Sequence, residues 1–270
     1  MSNPKVSVLI TTYNRHVALA ELLAALIEQT FQDFEVIIIN DAGKPVDHVV
    51  ALYPELQISV IQLSENHYHV YARNQGLRVA RGKFIMLMDD DDLPLSTHLE
   101  TMIQHIERVD LVYSDVEIVN YHKGDKSRTP LNHQLFAYDF NLAAMRTFST
   151  YVPSGSLYRK SLHKDIGLFD EEVRNYWDWD FFLRIAEKHR IKRVAVASIL
   201  YEFSEYGQNQ SKKLDSMRLY LDRLSEKHQL GSLPTKNFFL LLDEPEVKKR
   251  QAESQRVWDG KTMPKSRLNS

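Results

Sequence analysis

The sequence predicts an α/β fold with a mixed, mostly parallel sheet that helices cover on both faces. Short apolar runs at residues 6–10, 36–39 and 84–88 alternate with segments whose apolar residues recur at helical spacing. A continuous apolar run is typical of a strand buried on both faces, and its alternation with helices indicates βαβ units. In such sheets, ligands bind beyond the carboxyl ends of the parallel strands.

Each predicted element follows from a local pattern. Apolar residues spaced three and four apart predict helices at residues 19–27, 46–53, 70–80, 95–106 and 176–189 and from 215 onward. Pro45 suits the first position of the second helix, and Gly82 follows the end of the third. β-Rich apolar runs predict strands at residues 6–10, 36–39, 58–63, 84–88, 110–114 and 193–203. Residues 122–137 are predicted to form a polar loop, and residues 153–156 a turn.

Composition limits the classes of function. Of the 270 residues, 43% are hydrophobic, which is enough for a sizeable core. The net charge of −2 gives no support to a nucleic-acid partner, because nucleic-acid binders usually present a basic face. The absence of cysteine excludes disulfides, thiolate metal ligands and a cysteine nucleophile.

The chain shows no pattern for insertion into a membrane. No apolar run approaches the roughly 20 residues of a membrane span. The apolar stretch at residues 6–10 is too short for the hydrophobic part of a signal peptide. We therefore expect a cytoplasmic protein that can still touch the inner face of the membrane.

Four consecutive carboxylates, at residues 89–92, directly follow a predicted buried strand. Adjacent carboxylates repel one another unless a cation compensates them, and oxygen ligands suit Mn²⁺ or Mg²⁺. The alternative is a solvated acidic turn that caps the helix after Pro94. The expected position at the carboxyl edge of the sheet favours the metal site.

Two further acidic positions have both a structural and a functional interpretation. Asp41 closes a strand before Ala42-Gly43, so it either shapes a turn or accepts hydrogen bonds from a nucleotide base or ribose. Asp178 and Asp180 alternate with tryptophans at the start of a helix. Partial desolvation there raises a carboxylate pKa and suits a general base, although spacing alone favours helix capping.

Several familiar chemistries lack their motifs. There is no G-x-G-x-x-G or G-K-[ST] phosphate loop, which argues against a dinucleotide dehydrogenase and a P-loop NTPase. Residues 154–156 (Ser-Gly-Ser) do not form the G-x-S-x-G frame of a nucleophile elbow. The eleven histidines show no convincing ligand spacing.

Five segments occur together in a known order, and through them the chain resembles the family 2 glycosyltransferases of the GT-A fold. The segments lie between about residues 5 and 205, and they are VSVLITTYNR at 6–15, QTFQDFE with IIIND at 29–41, ARNQGL with ARGKFI at 72–85, the acidic run at 89–92, and IGLFDE with WDWDFFLR at 166–184. The resemblance implies an inverting transferase that uses a nucleotide-diphospho-sugar.

The resemblance also implies donor-binding residues. Thr11, Tyr13 and Asp41 would hold the base and ribose, Arg73 would lie near the nucleotide, and Asp90 could reach the ribose. These assignments predict a donor site along the carboxyl edge of the sheet.

The metal and base positions follow from the same resemblance. Asp89 and Asp91 match the ends of the family's D-x-D motif, with Asp91 preferred as the direct ligand of Mn²⁺ or Mg²⁺. Asp178 matches the general base, with Asp180 as the alternative, although Trp177 replaces the usual preceding Glu. The family's His near the end of the core is missing from residues 201–206, so no third metal ligand is predicted.

The predicted function is the transfer of a sugar, with a UDP-sugar preferred as donor, to a glycan, lipid-linked or protein acceptor in bacterial surface polysaccharide or glycoconjugate synthesis. One alternative is a non-catalytic nucleotide-sugar-binding homologue that acts as an assembly partner. Another is a nucleotidyltransferase, which residues 11–15 disfavour because they lack the glycines of that class's loop.

The domain prediction divides the chain at residue 214. Residues 1–214 form the glycosyltransferase domain, with a nucleotide-sugar half to about 115 and an acceptor half from about 116. Residues 215–270 form a helical C-terminal extension whose tail, from Trp258, is expected to be disordered. The apolar patch at 238–242 is predicted to be a helix packed on the core, or alternatively a contact with a second copy or a membrane surface.

Overall fold

A single sheet organises the fold. The computed structural model describes residues 3–124, 127–203, 214–235 and 242–268. Within these residues the strands are β1 (Val6–Thr12), β2 (Phe34–Asn40), β3 (Ile58–Gln62), β4 (Phe84–Asp89), β5 (Leu93–Pro94), β6 (Leu111–Lys123), β7 (Arg128–Phe136), β8 (Leu157–Arg159), β9 (Ile191–Glu202) and β10 (Gln255–Arg256). The helices are α1 (His16–Ile27), α2 (Asp47–Val50), α3 (Tyr68–Val79), α4 (His98–His105), α5 (Leu142–Met145), α6 (Leu162–Ile166), α7 (Trp177–Ala186), α8 (Leu214–His228) and α9 (Pro245–Lys248), with a 3₁₀ helix at Glu171–Tyr176 before α7.

The sheet is mixed and mostly parallel, as predicted. Its strand order is β10-β9-β6-β8-β4-β1-β2-β3, and β5 and β7 pair with β9 and β6 off this path. Strands β4, β1, β2 and β3 pair in parallel, whereas β8 runs antiparallel between β4 and β6. The parallel strands therefore end along one edge.

The core lies on both faces of the sheet because the strand residues alternate between them. Val8 and Ile10 of β1 pack with Leu22 of α1 on one face. On the other face, Leu9 packs in a cluster that includes Phe181 of α7. This double covering is the physical reason that the strands read as continuous apolar runs.

The predicted loop at 122–137 is wrong for most of its length. Residues 111–123 and 128–136 pair as an antiparallel hairpin of β6 and β7, while residues 125–126 lie outside the described part. Strand β7 pairs with β6, and most of its residues are exposed or half-buried. Its sequence is polar for that reason, and polarity alone suggested a loop.

The expected disorder from Trp258 is also corrected. Strand β10 pairs with β9, and Arg256 donates two hydrogen bonds, of 2.6 and 2.8 Å, to the buried carboxylate of Glu117. Further along, the backbone N–H of Arg267 donates to the Tyr53 hydroxyl over 2.9 Å. Glu117 and Tyr53 lie 139 and 214 positions away from these arginines, so no local pattern could show these contacts of the tail.

The helix predicted from residue 215 is confirmed as α8. Its residues Leu221 and Leu224 pack with Val173, Trp179 and Leu183. Of the apolar patch at 238–242, residues 238–241 lie outside the described residues. The division of the chain into domains stays a prediction.

Across the part of the chain that the structure describes, no helix is both long enough and apolar enough to cross a membrane.

Candidate active site

A cavity of about 540 Å³ opens at the edge where β1, β2 and β4 end. The register of the strands brings their final residues together, because Thr11 lies beside Asp89 and Thr12 lies beside Asn40. All eight residues predicted for the site line this cavity: Thr11, Tyr13, Asp41, Arg73, Asp89, Asp90, Asp91 and Asp178.

The loops after β1 and β2 shape one end of the cavity. The side chain of Asn14 accepts a hydrogen bond from the backbone N–H of Lys44 over 2.8 Å, which ties the two loops together. A Cβ atom at Gly43 would lie only 2.9 Å from the backbone nitrogen of Asn14, so this close approach requires glycine. Asp41 is buried and accepts a hydrogen bond from the His67 N–H over 2.8 Å. Tyr13 leaves 51% of its surface exposed beside Asp41 in the cavity lining.

The acidic run after β4 is held by two arginines. Arg15 pairs with Asp91 and, over 3.0 Å, with Asp90, which also accepts a 2.7 Å hydrogen bond from Thr12. Arg73 pairs with Asp89. Burial raises the pKa of Asp91 to about 7, with the charges of Asp90 and Asp89 acting in the same direction and that of Arg15 against them. The site therefore disfavours a third negative charge at Asp91 unless further positive charge is brought in.

These residues fit a divalent cation that is shared with a ligand. Asp89 and Asp91 supply oxygen ligands only, as Mn²⁺ and Mg²⁺ prefer. Within residues 3–124, 127–203, 214–235 and 242–268, no group of three His, Cys, Asp or Glu side chains is placed to hold a metal alone. An Mg²⁺-type ion needs only one or two carboxylates when substrate phosphates complete its shell. Glu202 also lines the cavity, but Arg128 and Lys123 each bind its carboxylate over 2.5 Å.

Arg73 contacts both the acidic run, at Asp89, and α7, at Trp177. Its side chain is 2% exposed, and its guanidinium lies 4.2 Å from the centre of the Trp177 ring. Among the described residues, its Nε and Nη1 atoms are buried and have no hydrogen-bond partner. Buried donors of this kind are rare unless a ligand satisfies them, so Arg73 has N–H groups available for ligand oxygens.

Asp178 lies in the first turn of α7 and lines the same cavity. Burial raises the pKa of its carboxyl group to about 6, against hydrogen bonds from backbone N–H groups that favour the charged form. A carboxylate in this range is mostly ionised near neutral pH and is more basic than an exposed one. These properties suit proton transfer at the cavity wall.

Asp180, the alternative base, does not line this cavity. Its fully buried carboxylate accepts hydrogen bonds from His228 over 2.8 Å and Arg184 over 2.8 Å, and it pairs with Lys227 over 2.7 Å. Burial alone would raise its pKa, but His228, Arg184 and Lys227 together lower it. Asp180 thus joins α7 to α8 and faces away from the site.

Sequence reasoning missed several parts of the lining. His69 lies in the first turn of α3, just before the predicted helix at 70–80, and its Nε2–H donates to the Arg174 carbonyl over 3.2 Å. Burial lowers the pKa of His69 to about 4, so its ring is neutral. Met217 and Leu221 of α8 add an apolar wall from outside the five recognised segments. Arg15 lies in the first of the five segments, but its ion pairs with Asp90 and Asp91 become apparent only in the folded structure.

Comparison with known proteins decides the family. Residues 7–167 match the family model described as Glycosyl transferase family 2. The chain belongs to this family. A protein of Bacillus subtilis (strain 168) described as an uncharacterized glycosyltransferase, YwdF, is 55% identical over 260 residues, which are 96% of this chain and 97% of YwdF. The protein is therefore a glycosyltransferase.

Solved structures confirm the GT-A arrangement. S. aureus TarS 1–349 in complex with UDP-GlcNAc aligns with a TM-score of 0.65 and 23% identity, over 83% of this chain and 66% of that one. The mannosyltransferase PcManGT of Pyrobaculum calidifontis, in complex with GDP-Man and Mn²⁺, aligns with a TM-score of 0.57 and 14% identity, over 92% and 83%. At these identities, the likeness concerns the fold.

Proposed function

We propose that this glycosyltransferase moves a sugar from a nucleotide-diphospho-sugar, with a UDP-sugar preferred, to an acceptor hydroxyl with inversion. The observation that carries the proposal is that one cavity holds two kinds of groups. One part of its lining, the donor wall, presents Asp89, Asp91 and the unpartnered N–H groups of Arg73, and α7 presents Asp178 with its raised pKa. The same cavity therefore offers groups that can stabilise an anionic leaving group and a group that can accept a proton.

The donor wall suits a nucleotide. The half-exposed Tyr13 ring offers a flat surface for a base, and Asp41 is held in place by His67 to accept hydrogen bonds from base or ribose. Thr11 and Asp90 lie at the ends of adjacent strands, within reach of the ribose in our assignment. The TarS complexes with UDP and UDP-GlcNAc favour uridine as the base to test first.

The diphosphate would lie between the acidic cluster and Arg73. Asp89 and Asp91 would hold Mn²⁺ or Mg²⁺, an ion that supplies positive charge beside the leaving diphosphate when it is bound. The Mn²⁺ complex of PcManGT supports this choice of ion. Arg73 would donate from Nε and Nη1 to phosphate oxygens, and the Trp177 ring beneath its guanidinium would keep it oriented.

Asp178 would act as the general base. It would take the proton of the acceptor hydroxyl as the acceptor oxygen bonds to the anomeric carbon, while the bond from that carbon to the phosphate oxygen breaks. Only one carboxylate is needed on the acceptor side of a single displacement, and this step inverts the anomeric centre. The indoles of Trp177 and Trp179, which also line the cavity, would reduce access of water to the base.

The biological setting stays a prediction. We propose a role in bacterial surface polysaccharide or glycoconjugate synthesis, with a glycan, a lipid-linked sugar or a protein as acceptor. A cytoplasmic location, and a contact with the membrane face or with a second copy, are further predictions. The alternative of a non-catalytic homologue finds no support in the comparisons.

Calorimetry with nucleoside diphosphates tests the donor site. We would titrate UDP, GDP and dTDP, with and without Mn²⁺, into the wild type, Asp91→Ala and the control Asp165→Ala, whose carboxylate is 61% exposed and outside the cavity. We expect Mn²⁺-dependent binding of one diphosphate in the wild type and the control, and its loss in Asp91→Ala. A folded wild type that binds none of the three would refute the donor-site assignment.

A further inference from the structure

Arg128, at the start of β7, is a buried cation directly behind the donor wall. Its side chain is 3% exposed, and it lies outside the cavity lining. Its Nε donates to Glu21 of α1 over 2.5 Å, and its Nη1 donates to Glu202 of β9 over 2.5 Å. The same Nη1 also donates to the backbone carbonyl of Asp91 over 2.5 Å. One guanidinium therefore connects α1, β9 and the acidic run.

The surrounding charges explain why an arginine is present. Glu21 lies in the middle of the apolar helix α1 and is buried, and its carboxylate accepts from both the side chain and the backbone N–H of Arg128. Glu202 is equally buried and is also paired with Lys123 over 2.5 Å. A planar guanidinium spreads its donors over three nitrogens and can serve two carboxylates and a carbonyl on different elements, whereas the donors of an ammonium all lie on one nitrogen.

The acidic run is anchored from behind at two successive residues. Arg128 binds the carbonyl of Asp91, and the backbone N–H of Glu202 donates to the carboxylate of Asp92 over 2.8 Å. Asp91 lines the cavity, and its carboxylate pairs there with Arg15. A fixed backbone carbonyl thus limits where the carboxylate of the same residue can lie.

We propose that Arg128 is a positioning residue of the donor site. It fixes the backbone at Asp91 so that the carboxylate is presented to a metal–diphosphate without a rearrangement on binding. This inference rests on the proposed function, because it concerns the group that Asp91 would bind. Mutation of a residue that holds a metal-binding side chain in place typically lowers metal affinity or activity about 10–100-fold, and we expect an effect of that size for Arg128.

A second buried pair provides a matched control. Arg193 of β9 donates two hydrogen bonds of 2.7 Å to the buried carboxylate of Asp115 in β6. Its remaining contacts, to Asp139 and to the carbonyl of Glu253, also lie outside the cavity lining. A change at Arg193 alters an arginine–carboxylate pair whose carboxylate is as buried as that of Glu21, without touching the acidic run.

The experiment compares Arg128→Lys with Arg193→Lys in the full chain. Each lysine keeps a positive charge beside the buried carboxylates, so both variants are expected to fold with a reduced melting temperature. The affinity for UDP would be titrated against Mn²⁺ concentration. We expect Arg128→Lys to bind UDP about 10–100-fold more weakly and to need more Mn²⁺ for half-maximal binding, while Arg193→Lys binds as the wild type does.

A second variant separates positioning from loss of stability. In Arg128→Met/Glu21→Gln, the buried carboxylate of Glu21 is neutralised together with its partner, and Glu202 keeps Lys123. This variant avoids an unpaired buried charge, and we expect the same raised Mn²⁺ requirement in it.

The outcomes distinguish the two proposals. Binding of UDP and Mn²⁺ by the Arg128 variants that equals that of Arg193→Lys would overturn the role of Arg128 and leave the donor site intact. A folded wild type that binds no diphosphate at all would remove the proposed function, and this inference with it. A weakened Mn²⁺-dependent affinity confined to the Arg128 variants would support both.

Discussion

Replacement of Asp178 by Asn should make the protein more stable and nearly inactive. The folded state raises the pKa of this carboxyl group from 3.8 to about 6, chiefly by burial. Each tenfold change in a protonation equilibrium is worth about 1.4 kcal/mol, so an ionised Asp178 at pH 7 costs the fold about 3 kcal/mol. Asn has nearly the same shape without the charge, so it should remove this cost. The gain in stability will be smaller than about 3 kcal/mol, because the backbone N–H groups that bind Asp178 lose a carboxylate acceptor.

The direction of the pH dependence follows from the same shift. Between about pH 4 and 6 the folded state binds more protons at Asp178 than the unfolded chain does, so its contribution makes stability fall as pH rises. The base must be ionised to accept a proton, so transfer should increase through about pH 6 and then level off. At pH 5 roughly one-tenth of the molecules would carry the ionised base.

Two measurements test the Asn variant. Urea unfolding at pH 7 in EDTA, without nucleotide, gives the free energy of unfolding of each protein. Release of nucleoside diphosphate from the donor gives turnover, and removal of a general base should lower it about 10²–10⁴-fold. Nucleotide affinity should remain unchanged, because Asp178 is not among the proposed donor contacts.

Asp180→Asn is the control with the opposite expected sign. Its carboxylate is paired with Lys227, His228 and Arg184, and its lowered pKa means that it stabilises the fold above its ordinary titration range. Asn at this position leaves buried cations uncompensated and should destabilise the fold. An Asp178→Asn protein that keeps more than a tenth of wild-type turnover, or that is less stable than Asp180→Asn, would refute the reasoning.

Three further changes address the donor site and the tail. Tyr13→Ala should weaken nucleotide binding about tenfold, because a stacked base is worth about 1–3 kcal/mol, whereas Tyr13→Phe should not; calorimetry measures both. Arg73→Lys should raise the donor KM at least about tenfold, because an ammonium lacks the separate nitrogens with which the guanidinium can pair with Asp89 and also bind a diphosphate. An unchanged KM would contradict the assignment. Arg256→Met should lower the free energy of unfolding by about 1–3 kcal/mol, because it takes the main partner from the buried carboxylate of Glu117 and the arginine is half-exposed. Urea unfolding measures that loss, and turnover per folded molecule should be unaffected.

The choice between Asp178 and Asp180 shows where local patterns stop being informative. The two residues are two positions apart in the same first turn, so they point about 200° apart around the helix. Trp179 lies between them, and both have the same capping potential. Only the packed structure shows that Asp180 pairs with Arg184 of α7 and with Lys227 and His228 of α8, while Asp178 lines the cavity.

Arg128 shows a second limit. Its segment reads as a polar loop, because β7 lies largely in solvent. Its partners Glu21, Asp91 and Glu202 are 107, 37 and 74 positions away. No periodicity in the chain connects these positions, and an isolated arginine in a polar stretch gives no sign of burial.

The sequence by itself determined the order of the strands β1 to β4 and of the helices between them, the acidic run at the end of β4 and the family. These features depend on hydrophobic periodicity and on residues close together in the chain, which act before any long-range contact forms. The tertiary structure alone decided which carboxylates face the cavity, that Arg128 anchors Asp91, and that the tail returns to Glu117 and Tyr53. These outcomes depend on ion pairs and hydrogen bonds between distant segments, whose strength comes from a burial that exists only once the sheet and its covering helices have assembled.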